Sequence, residues 1–198
     1  MRENSFIIHP FVMKNRTSES SLHKALKVAL LIFLVLLALM VFSNRDRMDV
    51  YGRHFRESSP AVTLRLAELS STMDEAALKR HFADVPLRCV AEASGPGGLG
   101  DRVCYATIGE ADGHAALTLA NFFREGHLVR TMVHVPWWVH GIWIDRFNAA
   151  YGTPRQAGKV SVWGGPVLRW NMSNGYVDFN RDRSFNPLEW NVVLWTAR

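Results

Sequence analysis

From Ala25 to Phe42 the chain reads ALKVALLIFLVLLALMVF, eighteen residues broken by a single charge at Lys27. As an α-helix this run rises about 27 Å, close to the hydrocarbon thickness of a bilayer. Lys27 lies near its entry, where a long side chain can extend its ammonium to the headgroups. A cleaved secretory leader is the alternative. It would carry a shorter apolar run of about 7–15 residues behind a compact basic start, with small residues at the cut site. Here 24 residues precede the run, and the nearest cleavage signal is Val41-Phe42-Ser43. A start at Met13 would shorten the lead and strengthen the leader reading. Retention is the expectation: residues 1–24 as an N-terminal cytoplasmic tail, 25–42 as a transmembrane helix and 43–59 as a linker.

The run leaves roughly 140 residues, enough for one or two small cores. Net charge of +5 and a pI near 9.6 would ordinarily raise nucleic acid as a partner. The charge is unevenly placed, however. Residues 1–57 hold nine Lys/Arg and five Asp/Glu, whereas residues 58–198 hold fourteen and thirteen. The basicity belongs to the membrane flanks and the remainder is near neutral, so no nucleic-acid partner is expected. Positive charge alone does not orient the span, because Lys14, Arg16, Lys24 and Lys27 on one side balance Arg45, Arg47, Arg53 and Arg56 on the other.

Two cysteines break the tie. Cys89 and Cys104 each sit in a strand-like segment, and the midpoint between them falls in the glycine-rich SGPGGLGD. That symmetry places them opposite or nearly opposite each other across a hairpin. A disulfide there persists only in an oxidising compartment, so the globular region is expected to be extracytoplasmic and the protein a single-pass component of the inner or plasma membrane. Two alternatives remain: reduced buried cysteines, or a nucleophilic Cys104 with His114 as its base.

Beyond the polar stretch, helical patterning runs through AVTLRLAEL and again through STMDEAALKRHF, where Thr72 and Glu75 have capping-box spacing. The helix is predicted to end near Ala83. From Pro86 the period becomes strand-like in LRCVAEA, RVCYATI, AALTLANFF and HLVRTMVHV, separated by turn-forming residues. Pro136 opens a second predicted helix, WWVHGIWIDRFNAAYG, which is followed by KVSVWG, VLRWNM, YVDFN and EWNVVLW. SNG forms a tight turn between the second and third of these.

The predicted fold class is α+β: an antiparallel sheet with helices packed on one face, behind one transmembrane helix. Helix plus four strands occurs twice, so the region divides into a first α+β unit at 60–136 and a second at 137–198, a tandem repeat, with one continuous domain as the alternative. Over residues 60–198 this order resembles the small extracytoplasmic bacterial modules of the BamE and beta-lactamase-inhibitor-protein type. The resemblance is one of architecture without a signature motif. It implies binding to other proteins and transfers no site residues.

No catalytic, cofactor or metal residues are assigned. His114, His127, His134 and His140 are close in sequence, but His127 and His134 differ by an odd number and point to opposite faces of a strand. GPGGLG joins two strands with no helix behind it, so it is a turn rather than a phosphate loop. Trp137 and Trp138 are the candidate interaction surface. Trp143 falls on the apolar stripe of its helix, but adjacent residues cannot both face inward, and an exposed indole suits a protein interface or the headgroup zone. The expected function is a membrane-anchored extracytoplasmic protein-interaction module whose partner is another envelope or membrane protein. The alternatives are an accessory subunit of a membrane complex, or an anchored hydrolase with a His or Cys beside a carboxylate in a deep cleft.

Overall fold

The computed structural model describes residues 17–92, 98–159 and 165–198. The described residues up to Arg45 form one compact unit, and Asp46–Arg198 form another. In the first, helix α1 (Thr17–Ser43) contains Ser21–Ser43, which is long and apolar enough to cross a membrane and is 0% buried against protein. Such a helix fits a transmembrane or signal segment. Its leucines, valines and phenylalanines project outward all along it, an arrangement suited to lipid rather than to water.

The stretch read as a linker contains a helix, α2 (Arg45–Arg56). Charge hides it in the sequence, since six of its twelve residues are Asp or Arg. A narrow inner stripe is nonetheless present: Arg47, Val50 and His54 are half-buried and Tyr51 is buried, at the three- and four-residue spacings of one helix face. Ala61–Leu69 is also not helical. It forms a two-residue strand, β1 (Ala61–Val62), and a single 3-10 turn at Leu66–Glu68. Alternate burial of Val62, Leu64 and Leu66 shows the reason, because its apolar residues recur at every second position rather than at the helical period.

Helix α3 (Glu75–His81) begins later than the Thr72–Glu75 box would place it. Asp74 is its N-cap, with the carboxylate accepting from the Ala77 N–H at 2.7 Å. Thr72 instead donates its backbone N–H to Ser70 Oγ, and the Glu75 carboxylate accepts from Lys79 and Arg102. The strands that follow are β2 (Arg88–Ala91), β3 (Arg102–Thr107), a small hairpin of β4 (Glu110–Ala111) and β5 (His114–Ala115), β6 (Thr118–Arg124) and β7 (His127–Val135). A 3-10 turn at Trp137–Val139 leads into helix α4 (His140–Tyr151), then β8 (Arg155–Lys159), β9 (Pro166–Met172), β10 (Gly175–Asn180) and β11 (Asn191–Ala197). The eighth strand begins at Arg155, ahead of the KVSVWG segment. Most of that segment, the first half of SGPGGLGD and the first sixteen residues lie outside the described residues.

Eight strands make one antiparallel sheet in the order β2-β3-β6-β7-β11-β10-β9-β8, while β1, β4 and β5 form a separate three-stranded sheet. Each group of four strands runs as a meander, and β7 and β11, the last strands of the two groups, pair at the middle. Gly175 is required where β10 begins: a Cβ there would lie 2.1 Å from the Thr196 carbonyl oxygen on β11.

Period-2 alternation sorts the sheet into two faces. On one, Cys104, Leu119, Val133, Val193, Trp195, Val177 and Trp170 pack in a single core with Leu78 and Phe82 of the α3 segment and with Trp143 and Phe147 of α4. On the other, Phe122, Met132, Val192 and Leu194 form a smaller cluster with Leu99, Val103, Ala120, Val129 and Trp190, away from α3 and α4; at its margin Arg47 of α2 lies 5.5 Å from the Trp190 ring centroid and pairs with Glu189 at 3.4 Å.

Candidate functional site

Register builds the second face one row at a time. Ala120, Met132 and Leu194 lie directly opposite one another on β6, β7 and β11. The row continues to Tyr105 and Arg88 on one side, and to Asp178, Arg169 and Arg155 on the other. It therefore crosses all eight strands with an apolar centre, an exposed Tyr105 and arginines at both ends. Trp190 and Leu99 pack on the apolar centre, and Arg130 holds the Leu99 carbonyl at 3.2 Å.

On the β9–β10 side the row is rigid. Arg169 donates two hydrogen bonds of 2.7 Å to the Asp178 carboxylate, and its guanidinium lies 3.8 Å from the centroid of the Tyr176 ring. Asp178 is buried, so its charge depends on this fork for compensation. The hydrogen bonding that Arg169 donates to Asp178 is the leading cause holding the Arg169 pKa above its ordinary value.

The neighbouring row faces the helices and contains the cysteines. Cys89 and Cys104 are paired in register across β2 and β3 and joined by a disulfide. Asn121 lies opposite Cys104 and donates to its carbonyl, and Thr131 donates to the Asn121 side chain at 2.9 Å. In this state Cys104 has no thiolate, so it cannot act as a nucleophile with His114 as base. Among the described residues, one group brings metal-ligand atoms together, namely Glu75 with these two cysteines. Both sulfurs are committed to the disulfide, and the carboxylate is ion-paired to Arg102 and Lys79. Those two partners hold Glu75 below its ordinary pKa, with Arg102 contributing most.

The four clustered histidines are dispersed by the fold. His114 lies edge-on to Trp143, His127 is exposed, and a nitrogen of buried His140 is 2.9 Å from the Asn180 carbonyl. His134 sits on the face turned away from α3 and α4 with Nδ1 2.6 Å from the Thr118 hydroxyl and its ring 5.5 Å from that of Trp190; desolvation lowers its pKa to about 4. A fifth histidine, His81, lines a cleft of about 260 Å³ together with Thr63, Arg65 and Asp84. Sequence reasoning passes over it because it lies on an amphipathic helix. Its Nε2 is 3.1 Å from the Leu64 carbonyl, and its Nδ1 faces Glu68 at 3.8 Å. With Nε2 engaged by a backbone carbonyl, that nitrogen is not open to accept a proton from a hydroxyl as the base of a triad does. A second cleft of about 510 Å³ is lined by Arg65, Asp112, Arg146 and Tyr151 among others, and its carboxylate is bound to Arg146 at 3.0 Å.

Trp137 and Trp138 diverge. Trp137 is half-buried, with its indole N–H donated to the Ser184 carbonyl and Arg183 stacked 4.0 Å from the ring centroid. Trp138 is exposed and lies between the side chains of α2, with ring centroids 5.5 Å from Tyr51 and 6.1 Å from Phe55. Comparison with protein-family models, with curated proteins and with solved structures returned no match. The likeness to small envelope modules therefore rests on the order of helices and strands alone.

Proposed function

We propose that this protein is a membrane-anchored, extracytoplasmic interaction module that recognises another envelope or membrane protein through the face of its sheet turned away from α3 and α4. One observation carries the reading: a register row with an apolar centre flanked by Tyr105 on one side and by the Tyr176–Arg169–Asp178 assembly on the other. Tyrosine and arginine held in place beforehand cost little further entropy on binding, which is why they recur at the energetic centres of interfaces. In this reading the two helix-plus-four-strand groups are repeats whose junction at β7 and β11 makes the face wide enough for a protein partner. In this reading the α1 segment stays in the inner or plasma membrane, and the Cys89–Cys104 disulfide supports an oxidising compartment for the sheet.

The test is site-specific photo-crosslinking in intact cells, with a benzophenone amino acid at Tyr105, at Tyr176 and, as a control on the helix side, at Lys79. The expected outcome is a discrete adduct of one membrane or envelope protein from the two sheet positions and none from Lys79. Equal labelling at all three positions, or none at the sheet, would overturn the assignment of that face.

A further inference from the structure

At another part of the same compact unit, apolar side chains project into solvent where nothing in their own domain covers them. Met48 and Phe55 of α2 are 41% and 72% exposed, and Trp138 and Ile142, one helical turn apart, are 44% and 43% exposed. Phe55 stacks on Trp138 at 6.1 Å with an interplanar angle of 19°. Phe185 is fully exposed on a loop whose neighbour Ser184 is held by Trp137, the residue beside Trp138.

Two further observations indicate what covers this patch. The first is covalent reach. The membrane-length segment ends at Ser43, and the unit carrying α2 begins at Asp46. Two intervening residues extend at most about 10 Å, so a span held in a bilayer keeps the start of α2 at that bilayer's surface. The second is the distribution of charge on α2. Met48 and Phe55 are seven residues apart on one flank. Beside them Arg56 folds back over Gly52, donating from Nε to its carbonyl at 2.9 Å. A side chain at Gly52 would meet that guanidinium, since a Cβ would lie 2.7 Å from its Nη2. Asp46 lies on the far side of the helix, while Asp49, seven residues before Arg56, shares the flank of that arginine. Apolar groups bordered by a guanidinium match the boundary between acyl chains and phosphate headgroups.

We propose that the patch formed by Met48, Phe55, Trp138, Ile142 and Phe185, with Arg56 at its edge, docks into the headgroup layer of the bilayer that holds α1. The domain is thereby seated on the membrane rather than hung from it. This rests on the anchored reading given above, and the experiment separates the two.

The full chain, with its native disulfide intact, is reconstituted at low protein density in vesicles of phosphatidylcholine and phosphatidylglycerol. Single added cysteines at Phe55, Ile142 and Phe185 carry a nitroxide. Further labels replace Leu34 within the span and Tyr105 on the sheet. Collision with oxygen, which partitions into lipid, is compared with collision with an aqueous nickel chelate.

The expected result is an oxygen-to-nickel collision ratio several-fold higher at Phe55, Ile142 and Phe185 than at Tyr105, with Leu34 the highest. A high ratio at Leu34 with the three patch labels as aqueous as Tyr105 overturns the docking and leaves the anchor standing. An aqueous Leu34 overturns the anchor and the docking with it. Loss of access to both reagents at the patch, appearing only as protein density rises, assigns the surface to a protein contact and overturns the bilayer as its occupant.

Discussion

His134 is a titratable group placed where ionisation is costly. It sits on β7 against Trp190, and desolvation brings its pKa down to about 4 from an ordinary value near 6.5. Above pH 6.5 the ring is neutral in folded and unfolded chains alike, so stability is unaffected. As pH falls through the window from 6.5 to 4, the unfolded chain takes up a proton that the folded chain refuses, and stability is lost, by up to about 3 kcal/mol. Burial lowers the His140 pKa as well, adding in the same direction. Urea unfolding of the full chain in detergent, followed by tryptophan fluorescence, is expected to show a lower midpoint at pH 4.5 than at pH 7, with a smaller difference in His134→Gln. An unchanged difference in that variant would remove His134 from the explanation. Arg169→Ala is expected to cost about 3 kcal/mol in the same measurement, because it leaves the buried Asp178 carboxylate without its partner. Neither residue is legible from sequence in this role. Arg169 and Asp178 are nine positions apart, and only the β9–β10 register brings them together.

At the scale of elements, the sequence shows what alternation and spacing can carry. HLVRTMVHV forms β7 over its full length, and the symmetric spacing of Cys89 and Cys104 about a glycine-rich turn corresponds to the register of β2 and β3. Other segments mislead for identifiable reasons. AVTLRLAEL contains good helix formers but buries alternate residues, so tertiary contacts outweigh propensity. The N-cap moves to Asp74 because two oxygen-bearing candidates compete within three residues, and sequence alone does not rank them. Helix α2 is obscured because its inner face includes Arg47 and His54, which contribute stems and ring edges rather than hydrocarbon alone. The β2–β3 staple invites a direct check. The disulfide joins positions 15 apart, and a closed loop of that size stabilises by about 3 kcal/mol in the chain-entropy model. Reduction of the full chain is therefore expected to lower the urea midpoint of the sheet domain, and Cys89→Ser/Cys104→Ser to match the reduced protein. A double variant as stable as the oxidised protein would show that the bond contributes nothing to holding the sheet edge.

For the whole molecule, the sheet has two faces that are covered differently. One is closed by α3 and α4 around Trp143, Trp170 and Trp195. The other carries a small apolar cluster bordered by tyrosine, arginine and a buried carboxylate. Hydrophobic patterning indicates that the strands are amphipathic, but the open face becomes visible only once strand order is known, because it draws on both groups of four strands. The account depends on α1 remaining attached and on the sheet lying in an oxidising compartment. The most direct measurement is the intact mass of the protein extracted from the membrane fraction, with thiols alkylated before reduction in one sample and after it in another. With α1 attached and the sheet in an oxidising compartment, the expected mass includes residues 25–42 and the cysteines react only after reduction. A chain beginning near Asn44, or cysteines that react without reduction, would contradict that arrangement.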